Sequence, residues 1–329
     1  MKRVFVLGGT GQIGRAVAAR FGEAGWEVAV GARLGPIQVD RSVPGGLERA
    51  LGDGADVLVD VIAFTVAEGE QLNALAGLLG SLVVISSASV YRDDAGHTLD
   101  EAHSLETFPR LPVPIPETHP TVAPSLANYS TQKVALEQTV LEGPLPTTIV
   151  RPCAIHGPGS RLPRELFFVR RVCDGRRQVL LVDEGKSRFH TTSVVNLAEL
   201  ILLAAEQPSD RILNCGDPEP PTVSEIGLAI EQALDAELEQ ILVPYNGYER
   251  SEVSNPWAVP FPIVVDMTAA DRELDYRPVT DYQGAVGATC AWLAHEVTKR
   301  DWSSTYLGMF FDYAAEDSAI AEARTGERG

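Results

Sequence analysis

Short apolar runs alternate through the first half of the chain with stretches whose apolar residues recur at helical spacing. The runs at 4–7, 27–30, 57–60, 82–86 and 148–151 read as buried strands, and the segments near 13–24, 46–51, 68–79 and 129–141 read as helices between them. Strands alternating with helices predict an α/β fold, a doubly wound parallel sheet covered on both faces. Residues 211–215 predict a further strand of that sheet, and 222–234 a helix of a second, smaller C-terminal unit, so the two units interleave. Two stretches fall outside the alternation. Between Tyr91 and Asn128, Pro109, Pro112, Pro114, Pro116, Pro120 and Pro124 preclude a regular helix or ladder. This segment is longer than an ordinary connection, and reads either as a lid over a site or as a surface excursion. The tail from 317 to 329 is small and polar and is expected to fray.

Gly8-Gly9-Thr10-Gly11-Gln12-Ile13-Gly14 joins the first apolar run to the first helical stretch. A strand, a glycine turn and a helix in that order bring backbone N–H groups and the positive end of the helix dipole towards a pyrophosphate. The turn alone is equally an ordinary bend; its company decides. Ser87 follows the fourth apolar run. Tyr129 and Lys133, four residues apart, share one face of a predicted helix that Gly143-Pro144 terminates.

These segments together resemble the short-chain dehydrogenase/reductase superfamily, and within it the extended, NAD-dependent epimerase/dehydratase-like branch. Gly8, Gly11 and Gly14 match the family's Gly-x-x-Gly-x-x-Gly loop, with Leu7 where many members carry Thr or Ser. Val84 to Tyr91 resembles the fourth-strand segment that ends in the active-site hydroxyl, here Ser87, four residues before Tyr91. Asn128 to Lys133 matches the Tyr-x-x-x-Lys motif. Arg151-Pro152 with His156-Gly157-Pro158-Gly159 is similar to the segment after the sixth strand, although Tyr or Phe is commoner where His156 stands. Phe189 to Val194 resembles the family's strand-to-helix element with Ser193 for the usual Asp, which puts a hydroxyl at that helix start. Pro220-Pro221-Thr222-Val223 and Leu274-Asp275-Tyr276-Arg277-Pro278 complete the pattern. The resemblance covers most of the chain. It implies a dinucleotide-binding Rossmann domain at 1–155, rejoined by 189–216, and a substrate domain made of 156–188 and 217–329.

The resemblance implies that Gly8, Thr10, Gly11, Gln12, Ile13 and Gly14 bind the cofactor. A phenol with pKa near 10 is a poor acid or base at neutral pH and needs a neighbouring ammonium, which Lys133 is placed to supply. By the same resemblance Lys133 also hydrogen-bonds the nicotinamide ribose, Tyr129 exchanges a proton with the substrate oxygen, and Ser87 holds that oxygen while hydride moves at the adjacent carbon. NAD-binding members place an acidic residue after the second strand. Ala32 stands there, with Arg33 beside it. Loss of the carboxylate and gain of a guanidinium favour NADP, with NAD as the alternative. Asp40 flanks the adenine or lies in a surface turn. Ser89, His156, His190, Arg161 and Arg188, with Arg164, are candidates for substrate contact; the histidines read equally as packed residues and the arginines as solvated ones.

The expected function is hydride transfer between NADP(H) and a carbonyl or alcohol carbon of a small molecule. The alternative is a nucleotide-sugar epimerase that retains NAD, against which Ala32 weighs. A 4,6-dehydratase is disfavoured because Ala88-Ser89 stands where that subgroup has Asp-Glu. Residues 56–64 also resemble non-catalytic, RNA-associated relatives, but the retained Tyr129 and Lys133 argue for turnover.

Composition narrows the partners. Forty-five acidic against 27 basic residues give a net charge of −18, which repels nucleic acid and anionic lipid. No apolar stretch reaches the roughly 18 residues of a membrane span, and no signal-peptide pattern precedes the first strand, so a cytoplasmic location is expected. Cys153, Cys173, Cys215 and Cys290 form no Cys-x-x-Cys pair, no histidine pair has ligand spacing, and no metal is expected. A homodimer is left open as the one macromolecular partner.

Overall fold

The computed structural model describes residues 1–244 and 253–325. In chain order the first half comprises β1 (Arg3–Leu7), α1 (Gln12–Glu23), β2 (Glu27–Ala32), β3 (Ile37–Gln38), α2 (Gly46–Leu51), β4 (Ala55–Asp60), α3 (Val66–Asn73), β5 (Leu79–Ile85), α4 (Tyr129–Leu141) and β6 (Thr147–Pro152). The rest comprises β7 (Ala154–His156), α5 (Leu166–Cys173), β8 (Gln178–Leu181), β9 (Thr191–Ser193), α6 (Val194–Glu206), β10 (Arg211–Cys215), α7 (Val223–Leu234), β11 (Glu239–Leu242), α8 (Thr268–Leu274), α9 (Tyr282–Glu296) and α10 (Tyr313–Thr325).

Seven strands form one parallel sheet in the order β10-β6-β5-β4-β1-β2-β3. The chain therefore starts in mid-sheet and winds first one way and then the other, which opens a crevice beyond the carboxyl ends of β1 and β4. Strand periodicity builds both cores. Val4 and Val6 face α1 and α6, packing with Val17, Phe21, Leu197 and Ile201, while Phe5 and Leu7 face the opposite layer with Leu47, Leu51, Leu72 and Leu136.

The third helix is shorter than its periodicity predicts and the following strand starts earlier. A capping box between Thr65 and Glu68 starts α3, and turns from Leu72 to Leu78 end it, which frees Leu79 and Gly80 to join the sheet. Gly80 is required there, because a Cβ would lie 2.6 Å from the Asp56 carbonyl oxygen.

A second core gathers α5, α7 and α9 around Phe167, Phe168, Ile226, Ile230, Val286 and Trp257. Residues 194–215 return to the large sheet, whereas β9 pairs with β7 in a separate two-stranded sheet. Within 217–329, the residues of α8 and Tyr276 leave the second unit, since Ala270, Leu274 and Tyr276 complete the core around α1 and α6. The Pro-rich segment is not a bland excursion. Ala102, Phe108 and Ile115 are buried against Ala88, Tyr91, Ile263 and Val265, so hydrophobic anchors fix a stretch that has no ladder. The tail also departs from expectation: α10 runs to Thr325, with Ala319 and Ile320 buried against Leu180, Val182 and Val243, and Glu316 bound to Arg171. Ala319 and Ala323, one turn apart, share the face that packs here, and the polar residues around them hide it in the sequence. Among the described residues, no helix is long and apolar enough to cross a membrane.

Candidate functional site

The crevice is built on strand ends. Asp60, the last residue of β4, is fully buried and accepts the backbone N–H groups of Ile62 and Ala63, both at 2.8 Å, and the Arg41 guanidinium at 3.0 Å. Burial pushes the Asp60 carboxyl up, against the pull of Arg41 and the two amides. This network holds the loop whose next carbonyl, that of Ala63, receives Lys133.

Lys133 is placed by α4. Asn128 and Thr131 cap that helix reciprocally, Asp100 accepts from the Ser130 N–H, and Glu101 accepts from the Asn128 amide, so the Pro-rich segment ties down the helix start. The ammonium donates to the Ala63 oxygen at 2.7 Å and the Ile85 oxygen at 3.0 Å. Of its three donors, one is left for a ligand. Burial lowers its pKa to about 8, with Asp60 opposing.

One turn earlier, Tyr129 is 44% exposed and stacks on Phe64, ring centroids 5.4 Å apart. Lys133 Nζ lies 6.0 Å from its ring centroid. Partial burial raises the phenol pKa, a hydrogen bond with Ser87 lowers it, and water at the half-exposed ring limits the first effect. Ser87 follows β5, caps the short 3-10 turn Ala88–Val90, and accepts from the Ser89 N–H at 3.1 Å. Beside these residues is a cavity of about 270 Å³ lined by Ser87, Ser89, Leu99, Tyr129, Cys153, Arg164 and Phe189, among others. Burial raises the Cys153 thiol to about 12.

The glycine loop fits a dinucleotide pyrophosphate. Gly8 has φ of +86°, and a Cβ on Gly14 would lie 2.4 Å from the Gly8 oxygen, so the first and third glycines let α1 press against the turn. A Cβ on Gly11 would meet only the Gly8 oxygen at 3.4 Å, which leaves its face open for close approach. Gly11 begins α1 without a side-chain cap, so the helix amides face that opening. Thr10 and Ile13 lie within this turn. The Gln12 side chain donates to the Gly157 oxygen, which leaves its backbone for a ligand.

At the end of β2, Ala32 is buried and Arg33 exposed. Arg33, Asp40 and Arg49 line one open cleft of about 710 Å³. Asp40 accepts from the Ser42 hydroxyl and N–H, which holds its carboxyl below the usual range, with Arg33 adding to the effect. Arg41, by contrast, is committed to Asp60, Gln71 and Glu68.

The other substrate candidates separate. Ser89 lines the cavity, with its hydroxyl buried and without a partner among the described residues. His156 and His190 do not reach the cavity lining. His156 Nε2 bonds the buried Asp217 carboxylate at 2.9 Å, His190 Nε2 bonds the Asp217 carbonyl at 2.7 Å, and His190 Nδ1 accepts the Val265 N–H. Desolvation keeps His190 below its ordinary pKa. Each ring is buried and bonds Asp217 through Nε2, while His156 Nδ1 has no hydrogen-bond partner among the described residues. Arg161 is exposed, and its carbonyl lies near Arg300. Arg188 bonds the Pro220 oxygen and approaches Glu225, so it braces the start of α7. Arg164 alone of the three arginines faces the cavity.

Sequence reasoning missed Asp60, Phe64 and Asp217. An acid closing the apolar run 57–60 is a signal that could have found Asp60. Phe64 and Asp217 gain their roles only from tertiary packing. Asp217 also accepts from the Ser193 N–H and Asn196, supporting the helix start that the Ser193 hydroxyl caps. Among the described residues, no group of three or more His, Cys, Asp or Glu could hold a metal ion.

Residues 4–216 match the NAD dependent epimerase/dehydratase family. No curated protein matches the chain. Solved structures with similar folds include a putative epimerase from Burkholderia cenocepacia J2315, with 20% identity, coverage of 89% of this chain and 98% of that one, and a TM-score of 0.68. The UDP-glucose 4-epimerase of Thermus thermophilus, in complex with NAD, shares 20% identity over 88% of this chain and 98% of that one, with a TM-score of 0.61. The dTDP-glucose 4,6-dehydratase of Bacillus anthracis str. Ames, in complex with NAD, shares 15% over 91% and 98%, with a TM-score of 0.65. The chain belongs to the NAD dependent epimerase/dehydratase family and is an enzyme of the extended short-chain dehydrogenase/reductase type.

Proposed function

We propose that this enzyme is an NADP(H)-linked oxidoreductase of the cytoplasm that interconverts a carbonyl and an alcohol in a small molecule. The convergence of Ser87, Tyr129 and Lys133 beside one small cavity carries the reading. A bound nicotinamide supplies or accepts the hydride. The glycine loop and the open end of α1 hold the pyrophosphate, and the third donor of Lys133 serves the ribose. Ser87 positions the substrate oxygen. Tyr129 donates a proton to that oxygen in reduction and removes it in oxidation, with Ser87 lowering the pKa of its phenol.

The choice of NADP rests on Ala32 and on the cations of the cleft below it. No carboxylate stands at the end of β2 itself, and in the cleft below it Arg33 and Arg49 outnumber the one carboxylate, Asp40. A second reading, a nucleotide-sugar epimerase with retained NAD, draws support from the NAD complexes of similar fold. Its catalytic residues would be the same three.

Replacing Tyr129 by Phe tests the shared chemistry. Turnover is expected to fall at least about a hundredfold, the usual worth of positioned acid–base catalysis, with nucleotide affinity nearly unchanged. A variant that kept more than about a tenth of the wild-type rate would remove Tyr129 from the reaction.

A further inference from the structure

Two polar groups in the wall of the substrate cavity are buried without a hydrogen-bond partner among the described residues: Arg164 Nε and Ser89 Oγ. Buried polar atoms are almost always satisfied in native proteins, and each orphan costs free energy. Two in one cavity, beside Ser87 and Tyr129, point to something that enters it. No carboxylate lies within ion-pair distance of Arg164 among the described residues, whereas the buried Arg151 and Arg171 are paired with Glu137 and Glu316. Its sequence neighbour Glu165 is buried and driven towards its neutral form. The guanidinium sits 5.2 Å from the Phe189 ring centroid, within cation–π range.

We propose that Arg164 and Ser89 form an oxyanion anchor, so that the substrate is a compact anionic carbonyl or hydroxy compound whose carboxylate or phosphate is held by Arg164 while its reacting oxygen meets Ser87 and Tyr129. A planar guanidinium takes a carboxylate through two parallel N–H bonds and takes phosphate oxygens equally well. At about 270 Å³ the cavity lies at the small end of ligand pockets, which suits a compact acid better than an extended nucleotide sugar. This inference rests on the proposed carbonyl–alcohol chemistry and narrows its substrate class.

The test uses the full chain saturated with whichever nicotinamide nucleotide it binds more tightly. Calorimetry measures binding of oxamate, of its neutral counterpart oxamide, and of inorganic phosphate to the wild type, Arg164→Gln, Arg164→Lys and Tyr129→Phe. Oxamate is expected to bind at least about tenfold more tightly than oxamide. Arg164→Gln should remove roughly ten- to hundredfold of that affinity, as expected for a hydrogen-bonded charge, with nucleotide binding unchanged. Arg164→Lys should restore part of it, and Tyr129→Phe should retain it. Phosphate binding that is lost in Arg164→Gln, with oxamate weak, would support the anchor and assign it to a phosphate ester. Equal binding of oxamate and oxamide by the wild type, with phosphate no tighter, would overturn the proposal even if Arg164→Gln failed to fold. Anion binding unaffected by a folded Arg164→Gln would overturn it as well. A protein that binds no nicotinamide nucleotide would instead overturn the proposed function.

Discussion

Lys133 should leave a signature in the pH dependence of stability. Its ammonium is buried on two carbonyl oxygens, and burial lowers its pKa from 10.5 to about 8. Between those values the unfolded chain holds a proton that the folded chain has released, so stability rises with pH across this window. Below pH 8 both states are protonated and the cost of burying the charge is present in full; above 10.5 it is gone. The drop from 10.5 to about 8 corresponds, at about 1.4 kcal/mol per pH unit, to about 3 kcal/mol. Lys133→Met removes the titration while keeping an unbranched side chain one atom shorter, and other groups that ionise at high pH cancel in the comparison. Urea unfolding of both proteins at intervals from pH 7 to 10.5 should show the wild type gaining about 3 kcal/mol relative to the variant. Bound nucleotide, whose ribose would accept the third donor, should narrow the window by raising the folded pKa. A wild-type-to-variant difference that stayed constant with pH would refute the reasoning.

Two further changes probe the cofactor cleft and the Pro-rich segment. Arg33→Ala should narrow a preference for NADPH over NADH by about five- to fiftyfold, the low end reflecting the exposure of Arg33; calorimetry with both nucleotides checks it, and equal affinities in the wild type would favour the NAD-retaining reading. Phe108→Ala should destabilise the whole protein by roughly 3–5 kcal/mol, as for other buried aromatics, because Phe108 is 3% exposed in the cluster joining the segment to Ile263 and Val265. A loss below about 1 kcal/mol in denaturant titration would show that the segment is not part of the core.

The parallel sheet was readable because each strand is a short apolar run whose alternate residues feed opposite layers, as Val4 and Val6 do against Phe5 and Leu7. Gly8, Gly14, Ser87, Tyr129 and Lys133 were readable because local backbone demands and a one-turn spacing bring them together. What stayed hidden depends on partners distant in sequence. Nothing near Phe108 or Ile115 indicates that residues 259–265 will cover them. His156 and His190 looked like site residues from their loop positions, but Asp217, some 61 and 27 residues on, claims both. Arg161, Arg164 and Arg188 were indistinguishable in sequence. The fold turns Arg188 to the Pro220 carbonyl, leaves Arg161 exposed, and sends Arg164 into the cavity.

Hydride exchange with a nicotinamide that leaves each cycle is checked by following cofactor and product together. The purified protein is passed through gel filtration, mixed with added NADPH or NADP+ and a panel of small keto and hydroxy acids and nucleotide sugars, and monitored at the reduced-nicotinamide absorbance band and by product analysis. Added nucleotide is expected to exchange freely, and the absorbance to change in proportion to product. A stereoisomer formed from a nucleotide sugar with no net nicotinamide consumption, by a cofactor that survives gel filtration, would contradict this expectation.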